Sequence, residues 1–406
     1  MIELVAIGDE VLYGYRVNSN AAFLANHLLE QGFITTRHQV VGDTTARVTE
    51  VLTDALKRGS CVIVTGGLGP TVDDLTRRIA ADLFQVALTE PKGLRDTLTA
   101  RFGKDFITLE DQVLQPEGAV LFENRLGTAS GFVLANNQLF PNAHLVCLPG
   151  VSQEMKAIFS ESVLPYLVAA GIARSDLYIE RLHFHTIKEP EVDAVLRDIH
   201  KAYPSVSFGI YPGYSTLSVH IITAHRATVA AAKKMLLDRF QAYQFQSASA
   251  TLTEAVHDML LAKKITLSLA ESCTGGALAH SFIQHAGASG YFVTSIVAYS
   301  NAMKEKLLGV DSSLLDAHGA VSVEVTHAMA SGVKSRSLSS CSIAVSGILG
   351  PEGGAPQKPV GTVCATIMLE GVPTASWTMH LRGNREAILE QTVQAIHARL
   401  FALLSC

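Results

Sequence analysis

Short apolar runs and amphipathic stretches follow one another along the first part of the chain. Residues 2–7 (IELVAI) and 61–65 (CVIVT) are nearly continuous apolar runs, typical of strands that are covered on both faces of a sheet. Between them, residues 20–31 and 45–58 carry apolar side chains at helical spacing. Strands that alternate with helices predict a parallel sheet with helices on both faces for residues 1–170.

The pattern changes after residue 170 and changes back near residue 249. In between, three short strand-like runs and two helical stretches predict a small α+β module. Strands such as 265–271 (ITLSLAE) and 341–347 (CSIAVSG) then alternate with helices again, the last of them over 384–404. The predicted class is α/β, with two parallel-sheet α/β domains joined by a small α+β module, over residues 1–170, 171–248 and 249–406.

Composition narrows the class further. Apolar residues make up 48% of the chain and charged residues 17%, so large buried cores are expected. A balance of 32 Lys and Arg against 37 Asp and Glu gives −5, which disfavours nucleic acid as a partner. No apolar run nears the roughly 20 residues that span a bilayer, and the acidic start lacks a signal-peptide pattern. Since the six cysteines form no CxxC pair, we expect a soluble cytoplasmic protein without a membrane partner.

Ser272 is the first candidate for chemistry. It stands where strand 265–271 meets the Gly-rich start of the next helix, in AESCTGG. A side chain there lies at the sheet edge beside backbone amides, which suits a nucleophile whose oxyanion needs donors. A helix N-cap is the structural alternative, because serine hydroxyls accept hydrogen bonds at that position. Cys273 competes as a nucleophile, although a buried thiol is the commoner role of such a residue.

A serine nucleophile requires a base, and Lys304 follows the next strand, in YSNAMKEKLLG. A desolvated lysine loses its proton near neutral pH, and Tyr299 could relay a proton or hold the lysine in place. Ordinary exposed side chains are the alternative for both residues. His318 and His327 are conventional bases, but neither directly follows a strand, so they rank below Lys304.

Other polar groups carry weaker signals. The loop 346–354 (SGILGPEGG) offers backbone amides to a phosphate but lacks the GK[ST] of a P-loop. Arg382 and Arg385 suit a phosphate or carboxylate, and a solvated helix start explains them equally well. His183 and His185 share one face of a predicted strand and could chelate a metal, but no third ligand is evident.

Together these motifs resemble a known family. AESCTGG, VAYSNAMKEKLLGV, HGAVSVEV, SGILGPEGG and KPVGTV closely resemble the C-terminal domain of the competence/damage-inducible CinA family. IGDEVLYGYRVNSN, VGDTT, GGLGPTVDD and LPGVSQEM resemble the N-terminal domain of that family, which is related to molybdopterin-binding proteins. The resemblance covers nearly the whole chain and implies a KH-like module in the middle.

The resemblance implies that the C-terminal domain hydrolyses the carboxamide of nicotinamide mononucleotide (NMN) to nicotinate mononucleotide and ammonia, without a cofactor. By resemblance, Ser272 is the nucleophile, Lys304 the general base and Tyr299 part of the proton network. Leu349 and Asn384 depart from the family pattern, which leaves the efficiency of this activity open. The implied substrate-binding residues are Thr274, Gly275, Gly276, Ser346, Gly347 and Arg385.

For the N-terminal domain the resemblance implies pyrophosphate hydrolysis of ADP-ribose with a divalent metal ion (Co, Mn or Mg). GGLGPTVDD offers close backbone approach to a substrate at Gly66, Gly67 and Gly69, and a helix is predicted over 73–83. Oxygen ligands suit such an ion. Helix-capping acids and turn glycines are the structural alternative. The implied metal ligands are Asp73, Asp74, Glu10, Asn18 and Asp43.

Two other functions are compatible with the sequence. One is a non-catalytic nucleotide- or molybdopterin-binding protein of competence or the DNA-damage response. The other is a pterin-transfer enzyme of molybdenum-cofactor synthesis, which fits the N-terminal domain but leaves Ser272 and Lys304 unexplained. For the leading function, the resemblance implies a homodimer whose partners are small-molecule nucleotides, NMN and ADP-ribose.

Overall fold

The computed structural model describes residues 2–71, 73–103 and 108–405 and confirms the α/β class. The chain divides into two compact units, Met1–Leu177 and Tyr178–Cys406. Residues 178–248 of the predicted small module therefore belong with the C-terminal domain in the second unit, whereas residues 171–177 belong to the first. Among the described residues, no helix combines the length and apolar character that crossing a membrane requires.

A mixed six-stranded sheet forms the centre of the first unit. Its strands are β1 (Ile2–Ile7), β2 (Thr35–Val41), β3 (Cys61–Thr65), β6 (Val120–Phe122), β7 (Gly131–Ala135) and β8 (His144–Leu148), whereas β4 (Leu88–Thr89) and β5 (Gln115–Pro116) pair separately. The order is β2-β1-β3-β8-β7-β6, and the first four of these strands run parallel. Strands β7 and β6 are antiparallel, which the predicted parallel sheet did not include, because no crossover helix separates β6, β7 and β8.

Helices cover both faces of this sheet. Successive side chains of a strand point to opposite faces of the sheet, so Val64 of β3 belongs to one buried cluster and Ile63 to the other. The prediction that a helix begins at Asp73 is wrong, because Asp74 accepts a hydrogen bond from the Thr71 amide and closes a turn before the helix. The helices are α1 (Asp9–Leu12), α2 (Ser19–Glu30), α3 (Thr45–Arg58), α4 (Thr76–Phe84), α5 (Leu94–Phe102), α6 (Leu109–Val113), α7 (Ser152–Ile158) and α8 (Leu164–Ala169), with a π-helical turn at Phe159–Val163.

The second unit begins with the small module. Its antiparallel sheet has the order β10-β11-β9-β12, and burial alternates along β11, so one face packs on the two helices. Phe245 at the end of the module packs against Ala398 and Phe401 of the following domain. The elements are β9 (Tyr178–His185), α9 (Glu189–Ala202), β10 (Ser207–Pro212), β11 (Thr216–Thr223), α10 (Arg226–Phe240), a 3-10 turn (Gln241–Tyr243) and β12 (Gln244–Phe245).

The C-terminal domain has a five-stranded sheet. Its elements are α11 (Leu252–Ala262), β13 (Leu267–Glu271), α12 (Ala277–Ile283), a 3-10 turn (Ala288–Gly290), β14 (Phe292–Val297), α13 (Asn301–Leu308), α14 (Ser312–His318), α15 (Val323–Ser337), β15 (Cys341–Gly347), β16 (Thr362–Leu369), β17 (Ala375–His380) and α16 (Arg385–Ser405). The order is β14-β13-β15-β16-β17, with β14, β13 and β15 parallel and the last two antiparallel. The carboxyl ends of the three parallel strands therefore meet at one edge, where ligands bind in sheets of this kind.

Candidate active site

Ser272 lies at the carboxyl end of β13, in the turn that leads into α12. Its backbone amide donates to the carbonyl oxygen of Val345 on β15, which extends the sheet pairing by one residue. The side chain is only 7% exposed. Within the described residues this hydroxyl accepts no helix-capping hydrogen bond, so the alternative role as an N-cap does not hold for α12.

Lys304 reaches the Ser272 hydroxyl from the neighbouring strand connection. The Ser300 side chain caps α13, and Lys304 stands in the first turn of that helix with only 1% of its surface exposed. Its Nζ lies 3.0 Å from Ser272 Oγ, 3.1 Å from the Ala298 carbonyl oxygen and 2.9 Å from the Tyr299 carbonyl oxygen. The structure therefore brings the predicted nucleophile and the predicted base into hydrogen-bond contact.

The three partners of Lys304 can accommodate an uncharged amine as well as an ammonium. A neutral amine has two hydrogens and one lone pair, whereas an ammonium has three hydrogens and no acceptor. The carbonyl oxygens of Ala298 and Tyr299 only accept, so they take both hydrogens of the neutral amine. The Ser272 hydroxyl accepts from Lys304 when the amine is an ammonium, and it can donate to the lone pair when the amine is neutral. In the neutral form, the two carbonyl oxygens thus hold the base in the orientation that removes the serine proton.

Burial favours that neutral form. Desolvation lowers the pKa of Lys304 below its ordinary value, and a smaller opposing effect comes from the neighbouring Cys273 thiol. Burial also raises the pKa of Cys273 to about 12, which keeps that thiol protonated. Cys273 is therefore a poor competitor to Ser272 as nucleophile.

Glu271 is a site residue that the sequence analysis missed. This fully buried carboxylate accepts hydrogen bonds from the amides of Gly276 (2.9 Å), Leu278 (3.2 Å) and Ala279 (3.0 Å), and from the Ser295 hydroxyl (3.0 Å). It fixes the turn that carries Ser272 to both α12 and β14. An acidic residue that ends a buried strand directly before a Gly-rich helix start was the available signal, since a buried charge needs several donors.

The turn after Ser272 leaves donors unused. In the described chain, the backbone amides of Cys273 and Thr274 have no protein acceptor, and the buried Thr274 hydroxyl has no partner. Gly275 and Gly276 adopt φ values of 58° and 102°, a region that favours glycine, and a Cβ on either would meet open space. Free amides beside a nucleophile are the donors that an oxyanion requires.

The other predicted residues of this site take different positions. Tyr299 contributes its carbonyl oxygen to Lys304, while its side chain is 67% exposed. The Ser346 hydroxyl donates to the Ala320 carbonyl oxygen (2.7 Å), and a Cβ at Gly347 would press on Val363. The Ser346 hydroxyl and the closely packed Gly347 therefore form part of the wall of the site.

Arg385 reaches this site from the start of α16. Its guanidinium donates to the Gly350 carbonyl oxygen (2.8 Å), and its charge is close enough to affect the Cys273 thiol. Asn384 caps α16 by accepting the Ala387 amide, and Leu349 is buried in the domain core. The two departures from the family pattern thus have structural roles.

The remaining candidates lie outside the site. Arg382 and His327 are exposed, and His318 lies 3.6 Å from the Glu324 carboxylate. His183 and His185 bond through Nδ1 to the hydroxyls of Ser218 and Thr186, respectively, and burial lowers both pKa values. In residues 2–71, 73–103 and 108–405, no three His, Cys, Asp or Glu side chains are grouped to hold a metal ion.

A second candidate site lies in the first unit. The cavity there, of about 420 Å³, is lined by seven predicted residues, Glu10, Asp43, Gly66, Gly67, Gly69, Asp73 and Asp74, and by Arg16, Thr128 and Glu154, which the sequence analysis missed. Asn18 does not line this cavity, because its side chain accepts the Ala21 amide and caps α2. Most of the predicted set is therefore brought together around one space.

Close backbone approach shapes the floor of this cavity. Gly66 has a φ of 104°, and a Cβ there would overlap the carbonyl oxygen of Ile7. The buried Arg77 guanidinium holds the same loop by donating to the carbonyl oxygens of Leu68 and Gly69. Sequence analysis missed Arg77, because an arginine on a helix is usually solvated.

The acids of this cavity repel one another. Partial burial raises the pKa of Asp43, and the carboxylates of Asp9, Glu10 and Asp73 raise it further, against the Asp9 amide that lowers it. Since no three ligands are grouped in the described chain, a divalent ion here would need further ligands from a bound phosphate.

Comparisons with known proteins agree with this architecture. Residues 249–404 match the family model of the CinA C-terminal domain, and residues 3–169 match the one described as "Probable molybdopterin binding domain". A CinA-like protein from Chlorobium luteolum is 36% identical over 398 residues, covering 94% of this chain and 92% of that protein. A CinA-like protein from Geotalea uraniireducens is 36% identical over 398 residues, covering 95% and 93%. A CinA superfamily structure from Klebsiella pneumoniae is 34% identical and covers 38% of this chain and 96% of its own, with a TM-score of 0.37.

Fold and site define a class of α/β protein in which a molybdopterin-binding-type domain precedes a domain with a buried serine–lysine pair. Identity above 30% over nearly the full length then establishes the relationship. The chain belongs to the CinA family. The resemblance drawn from the sequence motifs is thereby confirmed.

Proposed function

We propose that the second unit is an amidohydrolase that converts NMN to nicotinate mononucleotide and ammonia. The observation that carries this proposal is the 3.0 Å contact between the buried Ser272 hydroxyl and the buried Lys304 amine. A nucleophile paired with a neutral base and flanked by unused amides is the arrangement that acyl transfer requires. Family membership and the motif resemblance suggest the substrate.

In the first half of the reaction, Ser272 Oγ attacks the carboxamide carbon while Lys304 Nζ takes the hydroxyl proton. The carbonyl oxygen becomes an oxyanion, which accepts hydrogen bonds from the free amides of Cys273 and Thr274. The carbon–nitrogen bond then breaks, and the Lys304 ammonium returns its proton to the leaving nitrogen, which departs as ammonia. Ser272 is left as an acyl ester of the nicotinate.

In the second half, a water molecule attacks the ester carbon and Lys304 takes its proton. The carbon–oxygen bond to Ser272 breaks, and the ammonium of Lys304 reprotonates Oγ. The carboxylic acid product loses its proton to solvent and leaves as the carboxylate, and the resting pair is restored. Arg385, which stays exposed on one side, is the group we assign to the phosphate of the mononucleotide.

The test is ammonia release from NMN by the purified full chain. Ser272→Ala should lower the rate by about 10³-fold or more, because no other nucleophile is paired with the base. Ser289→Ala, at an exposed serine of the same domain, is the matched control and should keep full activity. Unchanged ammonia release by Ser272→Ala would remove Ser272 from the mechanism. Tight NMN binding by the wild-type chain without turnover would favour the non-catalytic alternative.

A second activity, metal-stimulated ADP-ribose hydrolysis, is supported by the acidic cavity of the first unit. Its three glycines allow a pyrophosphate to approach the backbone. Its carboxylates repel that anion unless a cation is bound between them. Asp73→Asn should abolish the Mn²⁺-stimulated hydrolysis and leave deamidation unchanged. Asp96→Asn, an exposed acid of the same unit, is the control. Loss of both activities in Asp73→Asn would indicate a structural role instead.

A further inference from the structure

A second-unit cavity of about 540 Å³ is separate from the Ser272 site. The end of β9 and the loop before β11, both in the small module, form one wall. Strand β17 and the second half of α16 form the other. Neither Ser272 nor Lys304 lines it, because β17 is the sheet edge opposite to β14. Its volume is within the roughly 300–1,000 Å³ of small-molecule sites.

Aromatic side chains line this cavity. Trp377 of β17 is half-buried, while Tyr214 and Tyr243 of the small module remain exposed. The α16 wall presents the small side chains of Ala395 and Ala398, which leave room beside the indole. A planar ring is the ligand group that such a surface favours, because ring faces stack with little entropic cost.

The charged groups of the cavity are all cationic. Its lining includes Lys188 and Arg399 and no Asp or Glu, although the whole chain carries a net charge of −5. In the described part of the chain, neither the ammonium nor the guanidinium is paired with a protein acceptor. Unpaired cations beside an aromatic wall favour an anionic group on the ligand.

His185 adds a buried polar atom to the same wall. The residue is 4% exposed, its Nδ1 bonds to the Thr186 hydroxyl (3.0 Å), and its buried Nε2 has no partner. A buried nitrogen without a partner costs free energy unless something outside the described chain satisfies it. This observation points to a ligand or an ordered water at this position.

Backbone strain occurs at the next residue. Thr186 has a φ of 58°, which is rare and strained for a β-branched residue. Its amide donates to the Ser215 carbonyl oxygen (2.9 Å), so the strained residue joins two loops of the cavity wall. Strain of this kind collects at ligand-binding positions.

We propose that this cavity binds a small molecule that combines a planar aromatic ring with a phosphate group, of the size of a nucleoside monophosphate. The ring lies against Trp377, and the phosphate lies between Lys188 and Arg399. This inference does not depend on the proposed deamidase activity.

The experiment uses the single tryptophan of the chain as its probe, because Trp377 lies in the cavity wall. The full-length protein is titrated with AMP while tryptophan fluorescence is excited where adenine does not absorb. AMP should change the fluorescence with saturation. Adenosine, which lacks the phosphate, and inorganic phosphate, which lacks the ring, should each bind at least about tenfold more weakly.

Variants locate the site. Arg399→Gln and Lys188→Gln should each raise the Kd for AMP by about tenfold or more, and Arg197→Gln, an exposed arginine of α9, should leave it unchanged. Ser272→Ala should also leave it unchanged, which separates this site from the deamidase site. An absent fluorescence change, or a Kd that neither Arg399→Gln nor Lys188→Gln alters, would overturn the proposal. Equal binding of adenosine and AMP would overturn its phosphate component.

Discussion

The Ser272 site and the acidic cavity of the first unit lie in comparable places, beyond the carboxyl ends of parallel strands, but differ in electrostatics. At the first, Lys304 is buried, and desolvation lowers its pKa, which favours an uncharged amine. At the second, partial burial raises the pKa of Asp43, and the neighbouring carboxylates of Glu10 and Asp73 raise it further. The first site pairs a hydroxyl with a base, whereas the second gathers carboxylates that repel one another.

The largest expected effect that separates the two regions comes from Lys304→Met. Ammonia release should fall by about 10³-fold or more, because the base is removed, while the ADP-ribose reaction is unaffected. The melting temperature should stay equal or rise at neutral pH. The native pKa of Lys304 is below its ordinary 10.5, so the unfolded chain binds the proton more strongly and the wild type loses stability as pH falls.

Lys306→Met is the matched control, since Lys306 is exposed on the same helix. The stability difference between Lys304→Met and the wild type should shrink as pH approaches the ordinary lysine pKa. A melting temperature that drops by many degrees in Lys304→Met at neutral pH would contradict the burial argument.

The next effect comes from Glu271→Gln, which tests whether the serine turn is held by one carboxylate. A Gln side chain keeps one acceptor oxygen, so part of the four hydrogen bonds is lost. We expect kcat to fall by about 10–100-fold with a smaller change in KM, and the free energy of unfolding to fall by about 2–3 kcal/mol. Glu305→Gln, an exposed residue of α13, is the control. Equal kcat in Glu271→Gln and wild type would show that the turn holds its shape without the charge.

A smaller effect is the pH dependence of the deamidase. Because the lowered pKa of Lys304 governs how much neutral base is present, kcat/KM should rise about tenfold per pH unit on the acid limb and level off below the ordinary lysine pKa. The profile is measured with NMN at constant ionic strength. A limb that persists in the residual activity of Lys304→Met would assign the titration to another group.

The smallest effect is expected in the first unit. The raised pKa of Asp43 means that the wild type loses stability as pH rises through the window above 3.8, so Asp43→Asn should gain stability at neutral pH. Solvent screening keeps that gain well under about 1 kcal/mol. Urea unfolding at low and neutral pH measures it, and added salt should reduce it. A loss of stability at neutral pH would mean that the Asp43 hydrogen bond to the Asp9 amide outweighs the repulsion.

The sequence predicted the parallel strands well because their apolar runs are long and lie between turn residues. It predicted that Ser272 and Lys304 share an edge because both directly follow neighbouring strands. The sequence pattern does not predict the direction of the Tyr299 side chain, since exposure at the start of a loop depends on packing and not on spacing. The strands β16 and β17 were predicted, but their antiparallel pairing was not, because it depends on a loop without a helix.

In the first unit, too, some features could be predicted from the sequence and others could not. The resemblance implied that Glu10, Asp43 and Asp73 share one site, and the three residues do line one cavity. The same resemblance assigned Asn18 to that set, but its side chain accepts the Ala21 amide and caps α2. Arg77 could not be found from its spacing, since its partners are carbonyl oxygens of a loop that only the folded chain brings near.

The contact of Gly66 with the Ile7 carbonyl oxygen limits how this cavity can diverge among related proteins. Any side chain at position 66 would push two strand ends apart, so this position of the cavity floor is restricted to glycine. New ligand preferences can arise only through the surrounding side chains, of which Arg16 and Glu154 carry opposite charges. Replacing Arg16 would change the charge of the cavity wall and leave the Gly66 contact intact.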